Sequence, residues 1–277
     1  MTSRTLLKAD GLLSEARNIG PVLGLESGGA SAGAALVNRG RVLASSILTT
    51  SSYCAGLPML VQEVLDQGGI GFSDLTAVAI AVGPGSFTGL RIGVSYAKGL
   101  ATANGCSIVG VSSLDAMAVG ALDLADLGID LTLCPIIDAR RNELYAALYR
   151  TTSAGVEKLT TGFIVRPEDL AGRIRGEAIF FSDGPAAHAK LLNASFGERI
   201  RLLTEIPNRR AIAVAALGAA RVATAEIDNV LELQPSYVRP PEAAVSKSPD
   251  GLNSLTEALW SGEKKSSSSN TLLMMKN

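Results

Sequence analysis

A chain of 277 residues with 47% hydrophobic and 18% charged side chains can bury a sizeable core, as one large domain or as two lobes, and is not a disordered polymer. Its 25 basic and 26 acidic residues leave a net charge of −1. That balance argues against tight nucleic-acid binding by the isolated chain, which needs clustered Lys and Arg; the pairs Arg140-Arg141 and Arg209-Arg210 are too small to supply it. No apolar run reaches the roughly 18 residues of a membrane span, and residues 1–20 lack the long apolar core of a signal peptide.

Cys54, Cys106 and Cys134 have no metal-ligand spacing and read as small buried hydrophobes of a reducing compartment, so a cytoplasmic location is expected. The single histidine, His188, makes His-x-x-x-His zinc chemistry impossible, and a Ser–His–Asp triad would hang on that residue alone. It reads as a structural residue at the start of a surface helix, after Asp183-Gly184-Pro185.

Along the chain, Pro21 to Gly29 reads as a strand ending in a turn. Ala32–Val37 and Val42–Leu48 follow as strands, with Asn38-Arg39-Gly40 as their hairpin. Gly56–Gln67 is a helix, because Leu57, Leu60, Val61, Val64 and Leu65 recur at helical spacing; Met59 and Glu63 lie off that stripe, open to solvent or a partner. Ala77–Val82 is a charge-free run, the pattern of a strand buried on both faces. The glycine-dense turn Gly83–Gly89 comes next, with Gly85 the candidate for a positive φ.

Ser86 or Thr88 then caps a helix over Gly89–Ala103. Within it Gly89, Gly93, Ala97 and Ala101 make a smooth ridge. Glycine in a helix costs about 1 kcal/mol relative to alanine, so the ridge serves close packing, either inside the core or against a partner. The strand–turn–helix has the outline of a phosphate cradle but meets none of the known forms. No Gly-Lys-Ser/Thr follows as in a P-loop, the dinucleotide glycine spacing is one residue too wide, and Ser86 lacks the flanking glycines of a nucleophile elbow. Only the generic attraction of a helix N-terminus for anions is left.

Ser107–Val111 is a strand, Leu114–Leu122 a helix, and Asp123–Asp130 the boundary before a second lobe. That lobe opens with the strand Leu131–Ile137 and the run Asp138-Ala139-Arg140-Arg141-Asn142-Glu143-Leu144-Tyr145, which either faces a cleft or forms a surface hairpin. Ala178–Ser182 reads as a strand and Ala211–Thr224 as an alanine-rich helix. Leu252–Trp260 suggests a short helix, and Ser266–Asn270 a flexible low-complexity tail.

Three stretches together resemble the signature of the TsaB (YeaZ) family: Gly83-Pro84-Gly85-Ser86-Phe87-Thr88-Gly89-Leu90-Arg91-Ile92-Gly93, Ala97-Lys98-Gly99-Leu100 and Gly110-Val111-Ser112-Ser113-Leu114. Leu57-Pro58-Met59-Leu60 is similar to the family's Leu-Pro-x-Ile, Asp138–Tyr145 to its Asp-Ala-Arg-Arg-x-Glu-Val-Tyr, and Pro235-Ser236-Tyr237-Val238-Arg239 to its closing Pro-x-Tyr-Leu-Arg. The resemblance runs from about Val22 to Ala243. It implies an α/β, actin-like, sugar-kinase-like fold of two lobes, each a mixed sheet flanked by helices. The expected divisions are an N-terminal extension at 1–20, lobes at 21–125 and 126–243, and a tail at 244–277.

The implied function is that of a non-catalytic subunit of the machinery that forms threonylcarbamoyladenosine in tRNAs reading codons that begin with A. Such a subunit binds and activates a TsaD-like transferase, its paralogue, as a heterodimer alongside a TsaE-like ATPase. It meets tRNA only through the complex and pairs with itself when alone. No intrinsic cofactor is implied, and ATP enters at the level of the complex.

Two departures matter. The family's strand-end Asp-Thr-Ser is Glu26-Ser27-Gly28 here, and the extra methylene shifts the carboxylate by about 1.5 Å. The register puts Ser52 and Tyr53 at the family's His-Ser pair, and the paralogue's two metal-binding histidines are missing. The expectation is therefore no catalytic residue and no metal site, with Glu26, Gly83, Gly85, Ser86 and Asp138 marking whatever nucleotide cleft survives. The implied partner interface comprises Leu57, Met59, Leu60, Glu63, Gly89, Leu90, Gly93, Ala97 and Ala101, the ridge facing outward. A stand-alone kinase or ATPase of the sugar-kinase type is the competing reading. A peptidase is the third, without a histidine dyad or metal site to carry it.

Overall fold

Two mixed sheets organise the residues described by this computed structural model, which are 6–7, 16–48, 53–122, 128–153, 155–174, 176–182, 192–197, 200–204 and 207–238. The chain divides into two units, Met1–Val238 and Arg239–Asn277, and every described residue belongs to the first. The strands are β1 (Leu6–Leu7), β2 (Val22–Glu26), β3 (Ala32–Asn38), β4 (Arg41–Leu48), β5 (Ala77–Gly83), β6 (Ser107–Ser112), β7 (Thr132–Asp138), β8 (Leu144–Ala146), β9 (Tyr149–Thr152), β10 (Gly155–Lys158), β11 (Phe163–Val165), β12 (Ala178–Ser182) and β13 (Ile200–Thr204). The helices that cover these sheets include α1 (Tyr53–Gly68), α2 (Phe87–Asn104), α3 (Ser113–Ala121), α4 (Pro167–Leu170) and α5 (Pro207–Ala223).

The first sheet has the order β4-β3-β2-β5-β6; β2, β5 and β6 run parallel, and β3 is antiparallel to both its neighbours. The second runs β1-β10-β9-β7-β12-β13, with β8 and β11 branching from β7. Two mixed sheets flanked by helices are the architecture that the sequence motifs imply.

Period-two alternation explains the layers. Along β5, Val78 and Ile80 face one way and Ala77, Ala79 and Ala81 the other, all buried. The Val78 face is covered by α1 and α2 through Leu57, Leu60, Val61, Val64, Val94 and Ala97. Each fully buried Leu or Val side chain contributes about 1.5–3 kcal/mol, so this layer alone is a substantial part of the core. The alanine face receives α3 and α5, which also meet Leu133, Ile137, Ile179 and Phe181 of the second sheet. Small side chains suit a helix squeezed between two sheets: α5 buries Ala211, Ala213, Ala215 and Ala219, and α3 is apolar nearly all round. On the far side of the second sheet, Cys134, Ile136 and Phe180 pack with Leu170 and Phe196.

Two placements follow from this packing. Helix α5 lies within 126–243, the span assigned from the sequence to the second lobe, yet its Ala211 and Ala215 pack on Ala35 and Val37 of the first sheet. Strand β1 lies within the 1–20 extension and pairs antiparallel with β10, Leu6 opposite Glu157 and Leu7 opposite Val156. The expected helix carrying His188, the boundary residues 123–127, Ser52 and the tail lie outside the described residues. Among those described, no helix is long and apolar enough to cross a membrane.

One polar cluster fastens α3 to the second sheet. Ser112 caps the helix by accepting the N–H of Asp115 at 3.3 Å. The Asp115 carboxylate accepts the Tyr149 hydroxyl of β9 at 2.5 Å and pairs with Lys158 of β10 at 2.7 Å. Burial first, then the Asp115 charge and its hydrogen bond, raise the Tyr149 pKa well above the ordinary tyrosine value of 10.0. Because the folded pKa is raised, the unfolded chain loses this proton first. The contribution of Tyr149 to stability is complete below pH 10 and declines above it, by at most about 1.4 kcal/mol per pH unit. In urea titrations between pH 9 and 11.5, Tyr149→Phe should show a shallower alkaline loss of stability than the wild type; identical slopes would contradict this assignment.

Candidate functional site

The ends of β2 and β5 lie side by side, and the turns that follow them are knitted together. The Ser86 N–H donates to the Gly28 carbonyl at 2.7 Å, and the Ser27 hydroxyl donates to the Gly89 carbonyl at 2.9 Å. A Cβ on Gly85 would stand 2.5 Å from the Gly28 oxygen, and one on Gly89 only 2.0 Å from the Ser27 oxygen. Gly85 is therefore glycine because another backbone crosses it. The left-handed residue of the turn is Gly83 instead, with φ +120°. Ser86, not Thr88, caps α2, accepting the Gly89 N–H at 3.3 Å.

These turns form one wall of a cavity of about 520 Å³. Gly28, Gly85, Ser86, Phe87 and Thr88 stand on one side, Asp138, Arg140 and Tyr145 on the other. Of the residues expected at a cleft, Gly85, Ser86 and Asp138 line it, and Glu26 and Gly83 do not. Phe87, Arg140 and Tyr145 belong to separate sequence motifs, and only the fold brings them together at the cavity. Asp138 accepts the Arg140 backbone N–H at 2.7 Å and pairs with its guanidinium at 3.3 Å, an exposed contact worth little. Arg140, Arg141 and Asn142 have φ of +63°, +56° and +58°, three left-handed residues in a row at the cavity rim. Asparagine tolerates that conformation, whereas each arginine gives up about 1–2 kcal/mol to adopt it. Burial, then the Asp138 charge, raises the Tyr145 pKa.

Glu26 is only 2% exposed. One carboxylate oxygen accepts the Gly28 N–H, and the other lies 3.7 Å from Nη1 of Arg210, itself 2% exposed, at the start of α5. The longer glutamate side chain thus reaches back to its own turn and sideways to α5. Among the described residues no group of three or more His, Cys, Asp or Glu is placed to hold a metal.

The ridge on α2 faces inward, contrary to the outward docking face expected. Gly89, Gly93, Ala97 and Ala101 are buried, and a Cβ on Gly93 would meet the Ser27 hydroxyl at 2.0 Å. Its smoothness accommodates the Ser27 turn and the first sheet. Leu57, Leu60 and Leu90 are also buried within the chain. Of the expected interface residues only Met59, 74% exposed, and Glu63 reach the surface. Glu63 accepts a hydrogen bond from Ser46 of β4 at 3.0 Å, and that strand shows half-exposed Val42, Leu43 and Ile47.

Residues 49–242 match the TsaD family, described as tRNA N6-adenosine threonylcarbamoyltransferase, and the chain belongs to that family. Over 155 residues it is 34% identical to the tRNA threonylcarbamoyladenosine biosynthesis protein TsaB of Escherichia coli, an alignment covering 56% of this chain and 66% of that one. The Bacillus subtilis protein of the same name is 28% identical over 228 residues, 80% of this chain and 95% of its own. In structure the chain is similar to YeaZ from Pseudomonas aeruginosa, with a TM-score of 0.67 at 23% identity, covering 79% of this chain and 100% of that one; the likeness is one of fold.

Two substitutions test the geometry. Gly85→Val should destabilise the fold by about 3 kcal/mol through its clash with the Gly28 backbone, read as a lowered midpoint in thermal melts. Arg210→Met should cost about 3–5 kcal/mol by removing a buried cation beside the Glu26 charge, and the double variant Glu26→Leu/Arg210→Met should recover most of it. An Arg210→Met melt equal to the wild type would refute the buried pair.

Proposed function

We propose that this chain serves the formation of threonylcarbamoyladenosine in tRNA as a non-catalytic partner that binds and activates a TsaD-like transferase. Its family membership and its likeness to TsaB proteins supply the pathway. The observation that carries the partner role is the fate of Glu26: the strand-end carboxylate that a kinase or ATPase of this fold would turn to its nucleotide is engaged by Arg210 and the Gly28 N–H. Among the described residues that line the cavity, the carboxylate is Asp138, which sits at its exposed rim beside Arg140. A stand-alone kinase reading has the cavity in its favour but leaves its strand-end carboxylate, Glu26, turned to Arg210.

On this reading the transferase docks on the outer face of α1 around Met59 and Glu63, with the neighbouring apolar residues of β4 adding buried area. Alone, the same face pairs two copies of the chain, so homodimer and heterodimer are mutually exclusive. A TsaE-like ATPase and ATP join at the level of the complex, tRNA is met only through it, and the location is the cytoplasm.

The experiment is co-purification and size-exclusion chromatography with a TsaD-like protein, followed by reconstitution of the modification. The chain alone should show no transfer, peptidase or appreciable ATPase activity; turnover abolished by Glu26→Ala would overturn the proposal. Met59→Asp should weaken pairing at least tenfold, a loss of about 1.4 kcal/mol or more, with an unchanged circular dichroism spectrum. Gly93→Leu, by contrast, should unfold the chain, since its side chain would enter the space of Ser27.

A further inference from the structure

The segment after α5 does not leave the first sheet. Asp228 lies beside the outer edge of β6: its N–H donates to the Ile108 carbonyl at 3.0 Å, and its carboxylate accepts the Gly110 N–H at 2.7 Å. Arg221 donates to the Gly110 carbonyl at 2.6 Å and pairs with Asp228 at 3.2 Å. Further on, the Ser236 N–H donates to the Val82 carbonyl at 2.7 Å. Between these two anchor points the strap crosses the flank of α2, and a second cavity of about 270 Å³ opens between strap and helix.

The helix contributes Arg91, Ser95 and Lys98, four and then three residues apart and so on one face. The strap contributes Leu233, Gln234 and Tyr237. Among the described residues neither the guanidinium nor the ammonium forms an ion pair, and none of those lining the pocket is a carboxylate. Both cations are nonetheless held in place. The Arg91 guanidinium lies 3.9 Å from the centre of the Phe87 ring, and its Nε donates to the Tyr237 hydroxyl at 3.2 Å. The Lys98 ammonium donates to the Leu231 and Leu233 carbonyls at 3.0 and 3.3 Å. A guanidinium has five N–H donors and an ammonium three, so both terminal nitrogens of Arg91 and one N–H of Lys98 are left to point elsewhere. Two oriented positive charges flank the Ser95 hydroxyl in a concave site with no counter-charge among the described residues, an arrangement suited to a tetrahedral oxyanion.

We propose that this pocket binds a phosphate group, borne either by an RNA backbone or by a free phosphate such as pyrophosphate. A local pair of cations does not conflict with the near-zero net charge, because two phosphate contacts give weak, local binding. The site stands on its own geometry, and its failure would leave the partner role untouched.

The test uses the full 277-residue chain in 50 mM salt, with sodium pyrophosphate by calorimetry and a mixed-sequence single-stranded 12-mer RNA by fluorescence anisotropy. Saturable binding of at least one probe is expected. Ser95→Glu, which places a carboxylate between the two cations and leaves every strap contact intact, should weaken it at least tenfold. Ser73→Glu, the same change of net charge outside the pocket, should change it less than twofold. If RNA is the ligand, raising the salt to 200 mM should weaken it about sevenfold for two single-strand phosphate contacts, and pyrophosphate should compete. Pyrophosphate bound without RNA assigns the site to a free phosphate. Should Ser95→Glu melt early, Arg91→Gln replaces it, with the same tenfold expectation. No saturable binding of either probe to the wild type, or equal losses in the pocket variant and Ser73→Glu, would overturn the proposal.

Discussion

The seam between the Ser27-Gly28 turn and the glycines of the 83–93 stretch is the contact from which the rest of the site is positioned. Two backbones pass at a distance that admits no Cβ at Gly85 or Gly89, and hydrogen bonds from Ser86 to Gly28 and from Ser27 to Gly89 hold them there. That crossing sets where α2 begins and therefore where Ser86, Phe87 and Thr88 stand as a cavity wall. It also sets where β2 ends, and so directs the Glu26 side chain toward α5. A contact this close is intolerant of added volume, because packed interiors transmit a displaced atom to its neighbours.

The two helices held between the sheets are each fastened by a buried or half-buried charge. Glu26 meets Arg210 at the start of α5, and Asp115 at the start of α3 receives Tyr149 and Lys158 from the second sheet. The apolar surfaces there are mostly alanine, which packs closely but offers little shape to distinguish one register from the next. Directional contacts at the helix starts supply that distinction. The desolvation of the Glu26–Arg210 pair offsets much of its attraction, so its contribution lies in specificity more than in net stability.

Much of the architecture was legible in the chain. Ala178–Ser182 is found as read, and the strand over Ala77–Val82 extends by one residue to Gly83. The helices expected over Gly56–Gln67 and Gly89–Ala103 each begin two or three residues earlier. These elements carry strong periodicity or capping residues, which are local signals. The short strands β8 to β11 were not resolved individually, because three- and four-residue strands leave little room for a pattern. The ridge of Gly89, Gly93, Ala97 and Ala101 was legible as a close-packing surface but not in its direction: a smooth stripe looks the same whether it receives its own sheet or a foreign helix. Glu26 was visible as a departure from the family pattern. Its partner Arg210 lies 184 residues away on an alanine-rich helix, a pairing no local pattern announces.

Helix α5 and the strap after it have a further consequence for how the molecule comes together. The first sheet draws all its strands from residues before 113, yet one of its faces, covered in part by α3, is completed only when residues 207–223 arrive, and the open edge of β6 only with residue 228. During synthesis from the N-terminus, those strands therefore wait while about a hundred further residues are made, with part of an alanine-lined face exposed and a strand edge unpaired. The last described segment acts as a keystone: the early half of the sequence acquires its complete core only when the late half returns to it, so the two sheets mature as one cooperative body and not one after the other.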